Sequence, residues 1–447
     1  MRPYLLSYAF VAGSCLAQGD LAGLLASQAD LSTLLELVGL VPGLADTLSA
    51  ASNITIVAPT NEAFAAVPRN VPEGEAIEQK NDTIAIGALL ANHVFKGVYP
   101  SDVITDIPTF AQTLLNSSYI IPRQPFSNFT GGQYNGLVKN GDDVCILSGE
   151  QTISTVTEPV SHTLIPISIS HGTNCIKDIK LGEGITIHKI DTVMSFGAPL
   201  QLFTYRAGFL AMNAALEAAD LGIDVGLTGA DTPGLNISDF TIFVPTNEAF
   251  ESIGSVLESA DQKTLQEVLK YHIIPNNVIF SPSLGNVTVP SLQGGNLTFT
   301  VLPDGSAWVN NARITFPNSI LFNGIAHVID SVLSPGEFNR DSLTPSANAS
   351  ERVAFPSASS VPISELPFSS IAFQGDQETY STTPALLQTW IAAATPTSGA
   401  STTGNGSGQS TPAPTGQQQQ FPGAASGLVP VAAMALSVAV GAAAVLL

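Results

Sequence analysis

Ile56-Val57-Ala58-Pro59-Thr60-Asn61-Glu62-Ala63-Phe64 decides the fold, because it returns as Ile242-Phe243-Val244-Pro245-Thr246-Asn247-Glu248-Ala249-Phe250, identical at seven of nine positions. In each stretch the β-branched residues predict a strand, over 53–58 and 241–244, ending at a proline that has no N–H to give a ladder. Thr60 or Asn61 then caps a short helix that buries Phe64, and the second stretch repeats this around Phe250. Two more matches follow in the same order. Leu89-Leu90-Ala91-Asn92-His93 answers Val268-Leu269-Lys270-Tyr271-His272, and His188-Lys189-Ile190-Asp191-Thr192-Val193-Met194 answers His327-Val328-Ile329-Asp330-Ser331-Val332-Leu333. Three ordered matches predict two copies of one domain, over residues 19–197 and 198–337.

The surroundings of the boxes give the class. Leu31, Leu34, Leu35 and Val38 fall at helical spacing within 30–40, with Asp30 or Ser32 as cap. Further helices are predicted over 84–93 and 264–272, and short strands between Gly, Asn and Pro turns over 297–302 and 307–309. The closing strand, 325–332, is apolar nearly throughout and is therefore predicted to be central. Helices grouped before a largely antiparallel set of strands predict an α+β fold.

Composition narrows the function. The 447 residues carry 36 Asp and Glu against 15 Lys and Arg, a formal charge of -21. A polyanion repels phosphate backbones, which excludes nucleic acid as a partner. Charged residues are only 11% and hydrophobic residues 45%, enough apolar material for real cores.

The ends read as export and anchoring signals. Met1-Arg2, an apolar run over 4–16 and the small-residue exit at Ala17 predict a signal peptide over 1–17. Residues 428–447 are uncharged and nearly all apolar, and Gly423, Ala424, Ala425 and Ser426 stand just before them. That pattern predicts a glycosylphosphatidylinositol (GPI) attachment signal over 423–447, with a tail-anchored helix as the alternative. Residues 338–422 turn to Ser, Thr, Pro and Gly and are predicted to form a disordered stalk, with apolar clusters such as 361–373 able to dock locally. Asn-x-Ser/Thr sequons stand at Asn53, Asn81, Asn116, Asn128, Asn236, Asn286, Asn296, Asn348 and Asn405, as a glycosylated surface product requires.

With these motifs in hand, both copies resemble fasciclin domains: the Pro-Thr-Asn-Glu-Ala-Phe box, the Tyr-His pair and the closing His-x-Ile-Asp strand, twice over. The resemblance implies a compact α+β wedge built on a β-sandwich in each copy. It also implies adhesion or cell-wall and matrix organisation rather than catalysis, with surface or matrix proteins or glycans as partners and no cofactor. In the family the Tyr-His region and the Asp of the closing strand are tied to binding, which nominates Tyr271, His272 and Asp330. Copy 1 has Asn92 in place of the tyrosine. The layout also admits a vacuolar or secretory-pathway membrane protein acting in trafficking.

The polar residues are weighed accordingly. His93 and His272 end apolar helices and are expected to be core histidines. His188 and His327 stand three residues before Asp191 and Asp330, a spacing that sends strand side chains to opposite faces, so neither pair suits general-base chemistry. His162 and His171 near Cys175 are a poor metal set, and no nucleophile elbow, His-Glu-x-x-His helix or phosphate loop occurs, which leaves a secreted hydrolase as the weakest alternative. With Cys15 removed with the signal, Cys145 and Cys175 remain, and in an oxidising compartment they are expected to pair across a loop of ~30 residues.

Overall fold

The computed structural model describes residues 21–116, 127–141, 143–149, 153–159, 179–181, 184–221, 223–224, 235–336, 340–343, 355 and 357–366. Copy 1 opens with helices α1 (Leu21–Ala26), α2 (Ser32–Leu40) and α3 (Leu44–Ala50), followed by strand β1 (Ile54–Pro59). Next come α4 (Asn61–Ala66), α5 (Pro72–Gln79), α6 (Thr83–Asn92) and β2 (Val94–Lys96). Strands β3 (Thr109–Gln112), β4 (Tyr134–Asn140), β5 (Asp143–Leu147), β6 (Ile153–Pro159), β7 (Ile179–Leu181) and β8 (Ile185–Ile190) complete the copy.

Copy 2 repeats the plan with α7 (Leu200–Arg206), α8 (Leu210–Ala219) and a small parallel pair, β9 (Ile223–Asp224) and β10 (Leu235–Asn236). Strand β11 (Phe240–Pro245) leads into α9 (Asn247–Ser252), α10 (Gly254–Ser259), α11 (Gln262–Tyr271) and β12 (Ile273–Ile274). The meander is β13 (Thr288–Pro290), β14 (Asn296–Val301), β15 (Ala307–Val309), β16 (Ala312–Ile320) and β17 (Gly324–Ile329).

The sheets match strand for strand. Copy 1 runs β2-β1-β8-β6-β5-β4-β3, with β7 also paired to β8, and copy 2 runs β12-β11-β17-β16-β15-β14-β13. The closing strands are central, and every residue of β17 is buried. One feature differs from the expected pattern: β1 and β8, like β11 and β17, are parallel. The box strand and the closing strand sit at opposite ends of each copy, and the intervening helices and meander act as a long crossover that returns the chain in the same direction.

Local sequence explains the caps. Thr60, not Asn61, caps α4 by accepting the Ala63 N–H at 3.2 Å, and Thr246 does the same for Ala249 at 3.3 Å. The neighbouring asparagines brace the preceding loop instead. Asn61 Oδ1 accepts from Thr33 N–H and Asn247 Oδ1 from Ala211 N–H, while both amide nitrogens donate to carbonyls, of Ala29 and Gly208. Asp82 and Asp261 cap α6 and α11.

Each box strand is buried on both faces. In copy 1, Ile54 and Ile56 meet the helices, whereas Val57 joins Phe95, Leu137, Ile146 and Ile190 beneath the meander. In copy 2, Ile242 and Val244 pack with Phe250 and Leu269, and Phe243 packs with Phe299 and Ile329.

The head reaches into the segment expected to be stalk from residue 338. Val361 N–H donates to Glu251 O at 2.9 Å, Ile363 N–H to Glu251 Oε1 at 3.0 Å, and Ser255 N–H to Ser359 O at 3.1 Å. Leu366 is buried in the copy 2 core. Gly254 makes the approach possible, since a Cβ there would lie 2.3 Å from Val361 Cβ.

Candidate functional site

The Tyr-His element sits where α11 meets β12, and its chemistry follows from burial. His272 is fully buried, and its Nε2 accepts the Leu333 N–H at 2.9 Å. That acceptor role puts the ring proton on Nδ1, which donates to Val268 O at 2.8 Å. His93 is built identically in copy 1, accepting from Met194 N–H at 2.9 Å and donating to Leu89 O at 2.8 Å. Each ring therefore pins the end of a helix to the chain just past the closing strand. Burial lowers both pKa values to about 4, against a smaller opposing effect of the backbone hydrogen bond, so both rings are neutral at pH 7.

The second pair uses the other tautomer. His327 Nδ1 accepts from Asn318 N–H at 3.2 Å, and its Nε2 donates to Ile279 O at 2.8 Å. Burial also takes its pKa to about 4. His188 Nε2 lies 2.8 Å from Tyr99 O in the equivalent place. Asp330 is half-buried, and its Oδ1 accepts the Arg313 N–H at 2.8 Å. His93, His188, His272, His327 and Asp330 thus hold backbone.

Tyr271, nominated with His272 as a binding face, is 2% exposed. Its hydroxyl donates to Asn296 O at 2.7 Å and accepts from Asn310 Nδ2 at 2.9 Å. Both residues are core clamps rather than surface contacts, because an aromatic body and a neutral imidazole gain most where apolar burial and backbone partners coincide. In copy 1, Asn92 stands at the equivalent helix end, donating to Ser195 O past the closing strand at 3.1 Å and accepting from Asn135 Nδ2 of β4 at 2.9 Å.

A seam joins the copies, and apart from Val328 the residues that form it lie outside the repeated motifs. Phe110 of β3 stacks on Phe280 with ring centroids 3.9 Å apart and planes 5° from parallel. Val138, Cys145 and Leu147 share one apolar cluster with Phe316, Ile320 and Val328 of copy 2. Polar contacts border it. Asn128 N–H donates to Phe322 O at 2.7 Å, Gln133 Nε2 donates to Leu321 O at 3.3 Å, and Thr130 donates through both N–H and hydroxyl to the Asp239 carboxylate. At the start of copy 2, Ala198 bridges Leu321 of the same copy, and a Cβ on the preceding Gly197 would lie 2.2 Å from Leu321 O. Each copy presents only part of this seam, so no local pattern in either could reveal it.

The remaining expected sites fall as follows. Asn53, Asn81, Asn286 and Asn296 are exposed, Asn116 and Asn128 are half-buried, and Asn236 lies on β10. Cys145 is buried on β5 within the seam cluster. Cys175, His162, His171, Asn348, Asn405, the signal over 1–17 and Gly423, Ala424, Ala425 and Ser426 lie outside the described residues. Among the described residues, no group of three or more His, Cys, Asp or Glu could hold a metal, and no helix is long and apolar enough to cross a membrane.

Comparison with known proteins agrees with this geometry. The fasciclin domain model matches residues 29–195 and 208–335. A fasciclin-like arabinogalactan protein of Arthroderma benhamiae is 27% identical over 321 residues, covering 72% of this chain and 67% of that protein. The fasciclin-like arabinogalactan protein CTB11 of Cercospora beticola is 25% identical, covering 66% of this chain and 70% of that protein. The cell surface glycolipoprotein MPB83 of Mycobacterium bovis is 33% identical over 118 residues, 24% of this chain and 52% of that protein. The two family matches span more than half of the chain, each over one of the two strand-for-strand copies, and the chain therefore belongs to the fasciclin family as a non-enzymatic protein with two tandem fasciclin domains.

Proposed function

We propose that this chain is a glycosylated, GPI-anchored surface protein whose two fasciclin domains work as one rigid head in adhesion or cell-wall organisation. The single observation that carries the reading is the seam. Phe110 against Phe280, with the Thr130–Asp239 and Gln133–Leu321 hydrogen bonds, fixes one copy to the other, so their outer surfaces are presented in a constant arrangement. A rigid pair suits weak contacts made at several points at once, because no inter-domain freedom is lost on engagement. The buried histidines support the reading, since each ring is occupied in holding backbone.

On this reading residues 1–17 direct export, and one of Gly423, Ala424, Ala425 and Ser426 receives the lipid. Cys145 pairs with Cys175, and the segment after Leu366 lifts the head from the membrane. The partners are surface or matrix proteins or glycans. Phosphatidylinositol-specific phospholipase applied to intact cells should release the protein into the medium. Protein that stays in an internal vacuolar membrane after that treatment would instead favour the trafficking alternative, and protein that resists release at the surface would favour a tail-anchored helix.

A further inference from the structure

The two sheets end in equivalent outer ribbons, β3–β4 in copy 1 and β13–β14 in copy 2. Copy 2 covers the first, through Phe280 on Phe110 and through the apolar cluster containing Val138. The second is buried on its outward face at Thr300 and its cross-strand neighbour Trp308, but open at the end where Thr288 and Pro290 pair with Thr298 and Asn296. Thr288, Pro290 and Asn296 are exposed, and the adjoining Val287 is 47% exposed. An outermost strand with an open face is a ready template for pairing with another chain, and exported proteins must blunt it.

This ribbon carries two sequons in register. Asn286-Val287-Thr288 runs into β13, and Asn296-Leu297-Thr298 opens β14. Thr288 pairs with Thr298 and Pro290 with Asn296, and the two threonine hydroxyls, one from each sequon, are 3.1 Å apart. Alternation puts Leu297 and Phe299 in the core, so Asn296 and Thr298 share the outward face with Thr288. Asn286 is exposed at the far end of β14, where its Oδ1 lies 3.4 Å from Val301 N. With a rise near 3.4 Å per residue, the two asparagines are roughly 15 Å apart along the ribbon.

We propose that Asn286 and Asn296 are N-glycosylated as a pair, and that their glycans cover the outer face and edge of β13–β14 as copy 2 covers β3–β4. In each transfer the asparagine amide nitrogen attacks the anomeric carbon of an oligosaccharide carried on a polyprenyl pyrophosphate. The C–N bond forms and the nitrogen loses a proton. The bond from that carbon to the pyrophosphate oxygen breaks, and the lipid pyrophosphate leaves with the electron pair. No redox change occurs. The inference rests on export of the chain, and it makes this side of copy 2 unavailable to protein partners.

The test uses the full chain purified in detergent from a glycosylating eukaryotic host. Peptide mass spectrometry after enzymatic deglycosylation should find both Asn286 and Asn296 occupied. Sedimentation of the N286Q/N296Q double variant should show concentration-dependent association, raising the average mass at least about two-fold over the glycosylated protein. The single variants should fall between. Folded wild-type protein trimmed to single N-acetylglucosamine residues should show the same rise, which separates loss of cover from a folding defect in the variant. Occupied Asn53 and Asn81 with an empty Asn286 or Asn296 would overturn the pairing alone, whereas empty sequons throughout would overturn export itself. Occupied sites whose removal leaves the mass unchanged would overturn the covering role.

Discussion

At the end of the helix that precedes the meander, copy 1 uses Asn92 with Asn135 of β4, and copy 2 uses the phenol of Tyr271 with Asn310 between β15 and β16. Beside that helix end the histidine clamps are superimposable in their partners, His93 between Leu89 and Met194, His272 between Val268 and Leu333. The comparison separates what the fold requires from what it tolerates. Pinning the helix end to the returning chain takes a neutral imidazole in both copies, because it can accept and donate at once while buried. Bracing the adjacent strand can be done by two amides or by one ring.

Acid should act most strongly. Burial lowers His272 and His327 of copy 2, and His93 of copy 1, to about 4 from an ordinary 6.5. Between those values the unfolded chain binds protons that the folded chain refuses, so stability is full above pH 6.5 and falls as pH drops towards 4. Below that, these rings remove no more. Each of these rings can account for up to about 3 kcal/mol, so the two of copy 2 together make acid the largest destabilisation expected there. Trp308 is fully buried in copy 2 and reports its unfolding by fluorescence. A denaturant midpoint from Trp308 that does not move between pH 7 and pH 4 would sink the clamp argument.

Exchanging the tyrosine for the copy 1 residue sharpens the comparison. Tyr271→Asn removes a buried ring, leaves the Asn296 carbonyl and the Asn310 amide short of a partner, and opens a cavity against Gly295, whose position now faces the Tyr271 ring edge. A loss of about 3–4 kcal/mol is expected by chemical denaturation. A loss below about 1 kcal/mol would show that copy 2, like copy 1, can brace the strand with an amide. Phe280→Ala acts on the seam instead. It should cost about 2–3 kcal/mol and, by uncoupling the copies, split a single calorimetric transition into two. One unchanged transition in the variant would mean that the Phe110 stack does not couple the domains.

What the sequence disclosed follows from where each signal lives. The repeated boxes, the threonine caps and the fully apolar closing strands are local patterns, so the two copies and their α+β class were legible from residues such as Thr60, Phe64 and Ile325. The parallel pairing of β1 with β8 was not, because register between distant strands leaves no mark in either one. Tyr271 and His272 suggest a binding face by motif alone, and a helix-end motif does not say whether it faces water or core. Phe110, Phe280, Thr130 and Asp239 look unremarkable singly and gain meaning only when the copies meet. Val361 opens the apolar cluster 361–373, whose composition marks it as able to dock, but nothing local points to the glycine at 254 that gives it a seat.

The smallest expected effect concerns one ion pair. Lys189 of β8 is nearly buried, with its Nζ 2.7 Å from Asp30 Oδ2, and the equivalent residue of copy 2 is Val328. Copy 1 thereby ties the loop before α2 to its central strand by charge, and copy 2 fills the same position with a β-branched side chain. Asp30 is half exposed, so solvent screens the attraction, and Asp30→Ala should cost only about 1 kcal/mol. Lys189→Val should be close to neutral, because the lost attraction is offset by apolar burial and the Asp30 carboxylate left behind is half exposed to solvent. In the double variant the two changes should not add, since Asp30 has nothing to lose once the lysine is gone. Urea midpoints of the four proteins decide the matter. A Lys189→Val loss well above that of Asp30→Ala would mean that the lysine stem, rather than its charge, holds the strand, and that copy 2 compensates elsewhere.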